Sequence, residues 1–260
     1  MTTISGSPAL NAVFDSCDQP AEMSNAEWAA RCELAACYRV FDYLGWTELI
    51  YNHITLRLSD ENPPAFLINP FGLHYSEVTP RNLVKVDGEG NILGDSEFPI
   101  NPAGFTVHAA LHNGLPGAHC VMHTHTTAGV AVACSAAGLR SDNFYSAQLQ
   151  ARVAYHDFEG VTVNPEEGPR LIRSIDGKKA VILRNHGLLS WGASIPEAFT
   201  YLWTLNRACE IQLATSMMGP SLSIAPEITA KCAKDALQFD PAFGAGRDVF
   251  DALVRVALKA

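Results

Sequence analysis

The chain has 260 residues, 48% of them hydrophobic and 17% charged, which is enough apolar side chain to bury the core of one large or two small domains. Its 27 acidic and 18 basic residues give a net charge of −9 with no basic block, so an electrostatic footprint for nucleic acid or an anionic membrane surface is excluded. The longest small and apolar stretch, 128–139, is shorter than the roughly 20 residues a bilayer span needs, and a soluble chain with no membrane partner is expected.

Residues 1–23 mix Gly, Pro, Ser and Asp without a clear period and read as an N-terminal arm. The arm begins MTTISGSPALNAVFDSC, which has neither a positive start nor a continuous apolar run. No secretory signal is read there, and a cytoplasmic location is expected. The seven cysteines are odd in number and form no C-x-x-C pair, as reduced core residues do.

Ser24 or Asn25 with Glu27 marks a helix start, and Trp28, Cys32, Ala35, Ala36 and Val40 recur at helical spacing until Gly45 stops the run. TELIYNHITLRL (47–58) and AFLINP (65–70) read as paired strands, and LVKVDGEGNILG (83–94) as a β-hairpin. From Gly104 onward helices and strands alternate. GFTVHAALHNG is a helix, HCVMHTH a strand, and TTAGVAVACSAAG a helix. PEEGPRLIRSI is a helix with an acidic N-terminus, KKAVILRNHG a buried strand, and IPEAFTYLWTLNRACEIQLATSMM a long amphipathic helix. No repeat or linker divides this pattern. It predicts one α/β domain over 24–219 and a tail, 220–260, that ends in a short helix and packs on the domain or on a neighbouring subunit.

Five of the nine histidines fall within 108–125. On a strand, residues i and i+2 point to one face, so His123 and His125 direct two imidazoles at one point. His186 follows the apolar strand AVILR and precedes Gly187, which permits a turn at a strand end, where α/β sites gather. Three neutral imidazoles leave positions open on a metal, as a catalytic ion requires. His108 and His112 lie four apart on the predicted helix but lack the Glu of a zincin motif, and they read as partly buried residues with hydrogen-bond partners. His74, His119 and His156 stand alone.

Five ordered segments resemble the class II aldolase/adducin superfamily: YNHITLR (51–57), INPFGLHYSEVTPRNLVKVD (68–87), INPAGFTVHAALH (100–112), HCVMHTHTTAGVAV (119–132) and VILRNHGLLSWG (181–192). The resemblance implies a three-layer α/β/α fold with a central, mostly antiparallel sheet, a homotetramer with active sites at its interfaces, and a divalent metal on His123, His125 and His186. Zinc, manganese, iron and cobalt all suit such ligands. It also implies that Asn52, His53, Asn69, Phe71 and Gly72 line the site, and that Tyr145 reaches a neighbouring subunit's site.

The chain departs from the aldolase pattern where those enzymes carry Pro-Ser-Ser-Glu. Here Asn101-Pro102-Ala103-Gly104 stands, so the catalytic Glu and the phosphate-binding serines are missing. A phosphorylated substrate and an ordinary aldol mechanism are therefore not expected. The expected function is a metal-dependent lyase on a non-phosphorylated carboxylate, above all a decarboxylase, with aldolase-type carbon–carbon cleavage beside it, and His53, Tyr145 or a metal-bound water supplying a proton. Two alternatives stand beside it: an adducin-like, non-catalytic binding protein, and a non-haem iron oxygenase. With a net charge of −9, positive potential for an anionic substrate must come from the metal, aided by Arg57, Arg140 or Arg184.

Overall fold

The structure is a computed structural model that describes residues 19–58, 61–161, 166–238 and 246–259. Most of the predicted N-terminal arm, including Cys17, lies outside the described residues, as does Pro165.

The first described helix, α1, spans Asn25–Tyr43. Ser24 caps it, its Oγ accepting from the Glu27 N–H at 3.1 Å, and this satisfies one of the donors a helix start leaves unpaired. The predicted strand 47–58 is shorter than expected. Glu48 and Leu49 take left-handed backbone angles, and strand β1 runs only over His53–Leu58. The turn is pinned by Asn52, whose Nδ2 donates to the Trp46 carbonyl at 3.0 Å. Strands β2 (Ala65–Ile68) and β3 (Val84–Val86) follow, with an isolated bridge from Val86 to Ile92 closing the predicted hairpin. Next come helix α2 (Pro102–Gly114), strand β4 (Cys120–Thr124), helix α3 (Thr127–Ala133) and the short helix α4 (Phe144–Gln148). Strand β5 (Val153–His156), helix α5 (Glu167–Ile175) and strands β6 (Ala180–Leu183) and β7 (Gly187–Gly192) lead into the long helix α6 (Ile195–Ser216). Helices α7 (Pro226–Asp235) and α8 (Arg247–Ala257) are the last of the described elements.

The strands form one seven-stranded sheet in the order β3-β2-β1-β4-β7-β6-β5. All neighbours are antiparallel except β5 and β6. Two features escaped the periodicity. The segment after His186 continues as β7 because Asn185 turns left-handed and folds LLSWG back onto β6, and the four-residue β5 is too short to show alternation.

Strand alternation sorts the core into two faces. Ile54, Leu56, Cys120, Met122, Ile182 and Leu188 face α1, α3 and α6, whereas Val121, Val181, Leu183 and Leu189 pack with Val107 and Leu111 of α2 and Leu171 and Ile175 of α5. The sheet thus has helices on both faces, the three-layer α/β/α arrangement. Among the described residues no helix is long and apolar enough to cross a membrane, and the six described cysteines are all free.

The terminal helix α8 buries Phe250 and Val254 and is tied to α1 by an ion pair between Arg247 and Glu33. Burial pushes the Glu33 carboxyl up despite the guanidinium, which marks a poorly solvated anion that depends on its partner. Arg247→Met should therefore lower stability by about 2–3 kcal/mol, less than for a fully buried pair because the arginine side chain keeps some contact with water. Adding Glu33→Gln should recover most of the loss in thermal or urea unfolding. A single variant as stable as the parent would show that the pair does not hold α8.

A candidate metal centre at the ends of two strands

His123 is the penultimate residue of β4, His125 opens the loop that follows, and His186 sits in the turn between β6 and β7. Because β4 pairs with β7, these segments end side by side. One ring nitrogen of each lies within 4.8 Å of the others. His123 Nε2 is 2.8 Å from His125 Nε2 and 3.3 Å from His186 Nε2.

Hydrogen bonds on the far side of two rings decide where the protons are. His123 Nδ1 lies 2.8 Å from the Leu188 carbonyl, which only accepts, so Nδ1 carries the proton. His125 Nδ1 lies 3.1 Å from Asn52 Oδ1, and the orientation of that amide is fixed independently. Asn52 Nδ2 donates to the Trp46 carbonyl and the Glu48 carboxylate, leaving Oδ1 to accept from the His125 backbone N–H at 2.8 Å and from the ring. Burial then keeps the imidazoles neutral. It pushes His123 well below the usual range, with the two other rings adding to the effect, lowers His125 to about 4, and lowers His186. Unprotonated Nε2 lone pairs are therefore pressed together. Such nitrogens repel unless a cation lies among them, and neutral imidazoles whose other nitrogen donates to a carbonyl are the donor set of a divalent metal.

Glycine makes the convergence possible. A Cβ on Gly187 would lie 2.4 Å from the Thr124 carbonyl oxygen, 3.2 Å from the His123 ring and 3.3 Å from the His125 ring. The sequence pointed to Gly187 as a turn former, but close approach of β4 and β7 is the stronger reason.

His53 pairs with His123 across β1 and β4, their ring centroids 5.1 Å apart. Its ring fills the space above Gly104 in the first turn of α2, where a Cβ would meet His53 Cδ2 at 2.6 Å and Nε2 at 2.7 Å. The glycine at the position where the resemblance calls for Glu and the histidine beside the three-histidine cluster are thus one steric unit. A side chain at 104 and this position of His53 exclude each other.

The other expected site residues are spread more widely. Asn52, expected to touch substrate, has its carboxamide engaged by His125, Trp46 and Glu48, so it orients the His125 ring. Asn69 is buried, with Oδ1 2.8 Å from the Tyr38 hydroxyl, a group that also bonds Ile54. Phe71 is half-buried, its N–H donating to the Pro99 carbonyl and its ring 6.5 Å from Tyr51, and Gly72 beside it is exposed with φ +115°. Tyr145 lies on α4 with its ring 5.5 Å from that of Trp203. Each of the three arginines has a partner within the protein. Arg57 reaches the His112 carbonyl, Arg140 pairs with Asp142 at 2.7 Å, and Arg184 donates to the Ser135 carbonyl at 2.8 Å while stacking on Tyr155. Sequence reasoning missed Thr55, which lies 2.8 Å from His108 Nδ1 and 2.7 Å from His112 Nε2. The signal was present: two histidines at i and i+4 on a helix facing polar i and i+2 positions of a strand.

A profile of the Class II Aldolase and Adducin N-terminal domain matches residues 32–213. A Pseudomonas aeruginosa protein assigned provisionally to the class 2 aldolases is 43% identical over 220 residues, covering 85% of this chain and 84% of that protein. Alpha-adducin of Rattus norvegicus is 48% identical over 195 residues, covering 73% of this chain but only 26% of its own length. Among solved structures, an aldolase II superfamily protein from Pseudomonas syringae superposes with a TM-score of 0.86 at 37% identity, over 92% of this chain and 95% of that one.

The shared space of His53 and Gly104 gives a double-mutant test. Gly104→Ala should destabilise the protein by about 1–3 kcal/mol, the usual cost of overpacking. In a His53→Ala background the same change should cost less than about 0.5 kcal/mol, since the obstructing ring is gone. Equal costs in both backgrounds would contradict the steric unit.

Proposed function

Because the chain belongs to the class II aldolase and adducin N-terminal domain family, we propose that it is a divalent-metal-dependent carbon–carbon lyase. In this reading it binds one metal per chain on His123, His125 and His186. Its substrate is a small carboxylate with an adjacent hydroxyl or carbonyl and no phosphate, and the bond broken is the one to the carboxyl carbon.

The observation that carries this reading is the exchange at position 104: glycine stands where the resemblance calls for a glutamate, and His53 fills the vacated space beside the metal ligands. An ion bound there would draw electron density from the oxygens of the substrate and so stabilise negative charge left on the neighbouring carbon. Decarboxylation needs no proton removed from carbon before the bond breaks, so the missing carboxylate is no obstacle. What it needs is a proton delivered afterwards. Burial holds His53 well below the usual range, so it is a neutral base at pH 7. With a hydroxylated substrate its free nitrogen takes the hydroxyl proton, the electron pair of the broken bond stays on the carbon that loses CO₂, the imidazolium returns the proton to that carbon, and the substrate oxygen regains a proton from solvent.

The start of α2 supports the absence of a phosphate. Pro102 removes an N–H from the first turn, Ala103 and Gly104 supply no hydroxyl, and Asn101 makes no side-chain cap. We extend the reading to a homotetramer in which Tyr145, beside the exposed Phe144, serves a neighbouring subunit; a sedimentation mass near one chain would contradict it. A second reading, a non-catalytic binding module, draws on the 48% identity with alpha-adducin.

The purified protein is expected to hold about one divalent metal per chain, and His123→Ala or His186→Ala to lose it. With metal, CO₂ release is expected from a member of a panel of hydroxybenzoates, pyridine dicarboxylates and β-keto acids without oxygen. His53→Gln should keep the metal and lower kcat by roughly 10²- to 10⁴-fold. A protein that takes up no metal, or a loaded one inert toward the whole panel, favours the binding module. Turnover that requires oxygen favours iron chemistry, and turnover of a sugar phosphate contradicts the reading of Gly104.

A further inference from the structure

Behind His53, between β1 and α2, four side chains form an unbroken line that ends on a backbone carbonyl. His53 Nδ1 is 2.9 Å from His108 Nε2, His108 Nδ1 is 2.8 Å from Thr55 Oγ1, Thr55 Oγ1 is 2.7 Å from His112 Nε2, and His112 Nδ1 is 2.6 Å from the Ala118 carbonyl. All four residues are buried, with His108 and Thr55 fully enclosed.

The polarity of this line follows from its anchored end. The Ala118 carbonyl can only accept, so His112 Nδ1 carries a proton and donates it. Burial lowers His112 to about 4 and holds His108 well below the usual range, so both rings are neutral and have one bare nitrogen each. The bare His112 Nε2 accepts the single Thr55 hydroxyl proton. Thr55 Oγ1, with its proton spent, accepts from His108 Nδ1–H, and His108 Nε2 is left to accept from His53 Nδ1–H. Reversing any one bond would place two donors or two lone pairs face to face in a buried space, which costs far more than the bond returns.

We propose that Thr55, His108 and His112 are positioning residues that lock His53 in the tautomer protonated at Nδ1 and leave its Nε2 lone pair over Gly104, beside the metal centre. The value of this lock for turnover rests on the function proposed above, but the tautomer itself does not. An unanchored imidazole exchanges its two neutral tautomers, and only one of them puts a bare nitrogen where residue 104 leaves space. Thr55 is the element that sets direction, since a hydroxyl is the one small group able to accept from His108 and donate to His112 at once. Valine, of nearly the same shape, does neither.

The test reads the ring nitrogens of His53 by ¹⁵N NMR in the zinc-loaded protein, assigned by their loss in His53→Gln. The wild type and Thr55→Ser are expected to show a pyrrole-type Nδ1 and a pyridine-type Nε2. Thr55→Val is expected to show a tautomer mixture, with bound zinc and KM unchanged and kcat lower by roughly 10- to 100-fold. A wild-type His53 protonated at Nε2 overturns the proposal whatever the variants do. So does a folded Thr55→Val protein with the wild-type tautomer. Correct tautomers in a protein that turns over no carboxylate count against the proposed reaction and leave the lock standing.

Discussion

Three neutral imidazoles crowd together at the open end of β4 and β7, with bare nitrogens of His123 and His125 only 2.8 Å apart. Lone pairs at that distance repel, so the arrangement favours positive charge among the rings, and several surrounding contacts keep the rings from turning away. Leu188 holds His123 through its carbonyl. Asn52, itself pinned by Trp46 and Glu48, holds His125 at both ring and backbone. The turn bearing His186 is tied down by the Asn185 N–H to the Ala133 carbonyl and by Arg184 on both neighbouring segments. Gly187 lets the two strands approach closely enough for all of this to happen.

The alternation of β1 carries the division of labour. Ile54, Leu56 and Leu58 turn to α1 and join the main core, while His53 and Thr55 turn to α2. One face of the strand therefore supplies stability through apolar burial, and the other supplies a polar column in which every nitrogen with a stated bond has a defined role. Such a column is costly unless complete, because each unmatched group would pay its full desolvation penalty. Its completeness from His53 to Ala118 is the reason to assign it more than a packing role.

Much of this was legible in the residues. The i, i+2 spacing of His123 and His125 and the strand end at His186 pointed to the three histidines that the fold brings within 4.8 Å of one another, since both follow from local geometry. The cap at Ser24, the long helix near 195–216 and the β4 strand were also readable, because each has a strong local signal. What escaped depends on packing between segments distant in sequence. Nothing local says that His53 occupies the space above Gly104, or that Asn52 turns its amide toward His125. The fold of LLSWG back onto β6 was hidden for a related reason, since a left-handed Asn185 leaves no mark on hydrophobic periodicity.

Whether His123, His125 and His186 together hold a catalytic divalent ion is tested most directly by X-ray absorption on zinc-loaded protein. Three imidazole nitrogens are expected at about 2.0–2.1 Å with at least one exchangeable light ligand, together with loss of imidazole scattering in His186→Ala. A sulfur shell, or fewer than three imidazoles in the wild type, would contradict it.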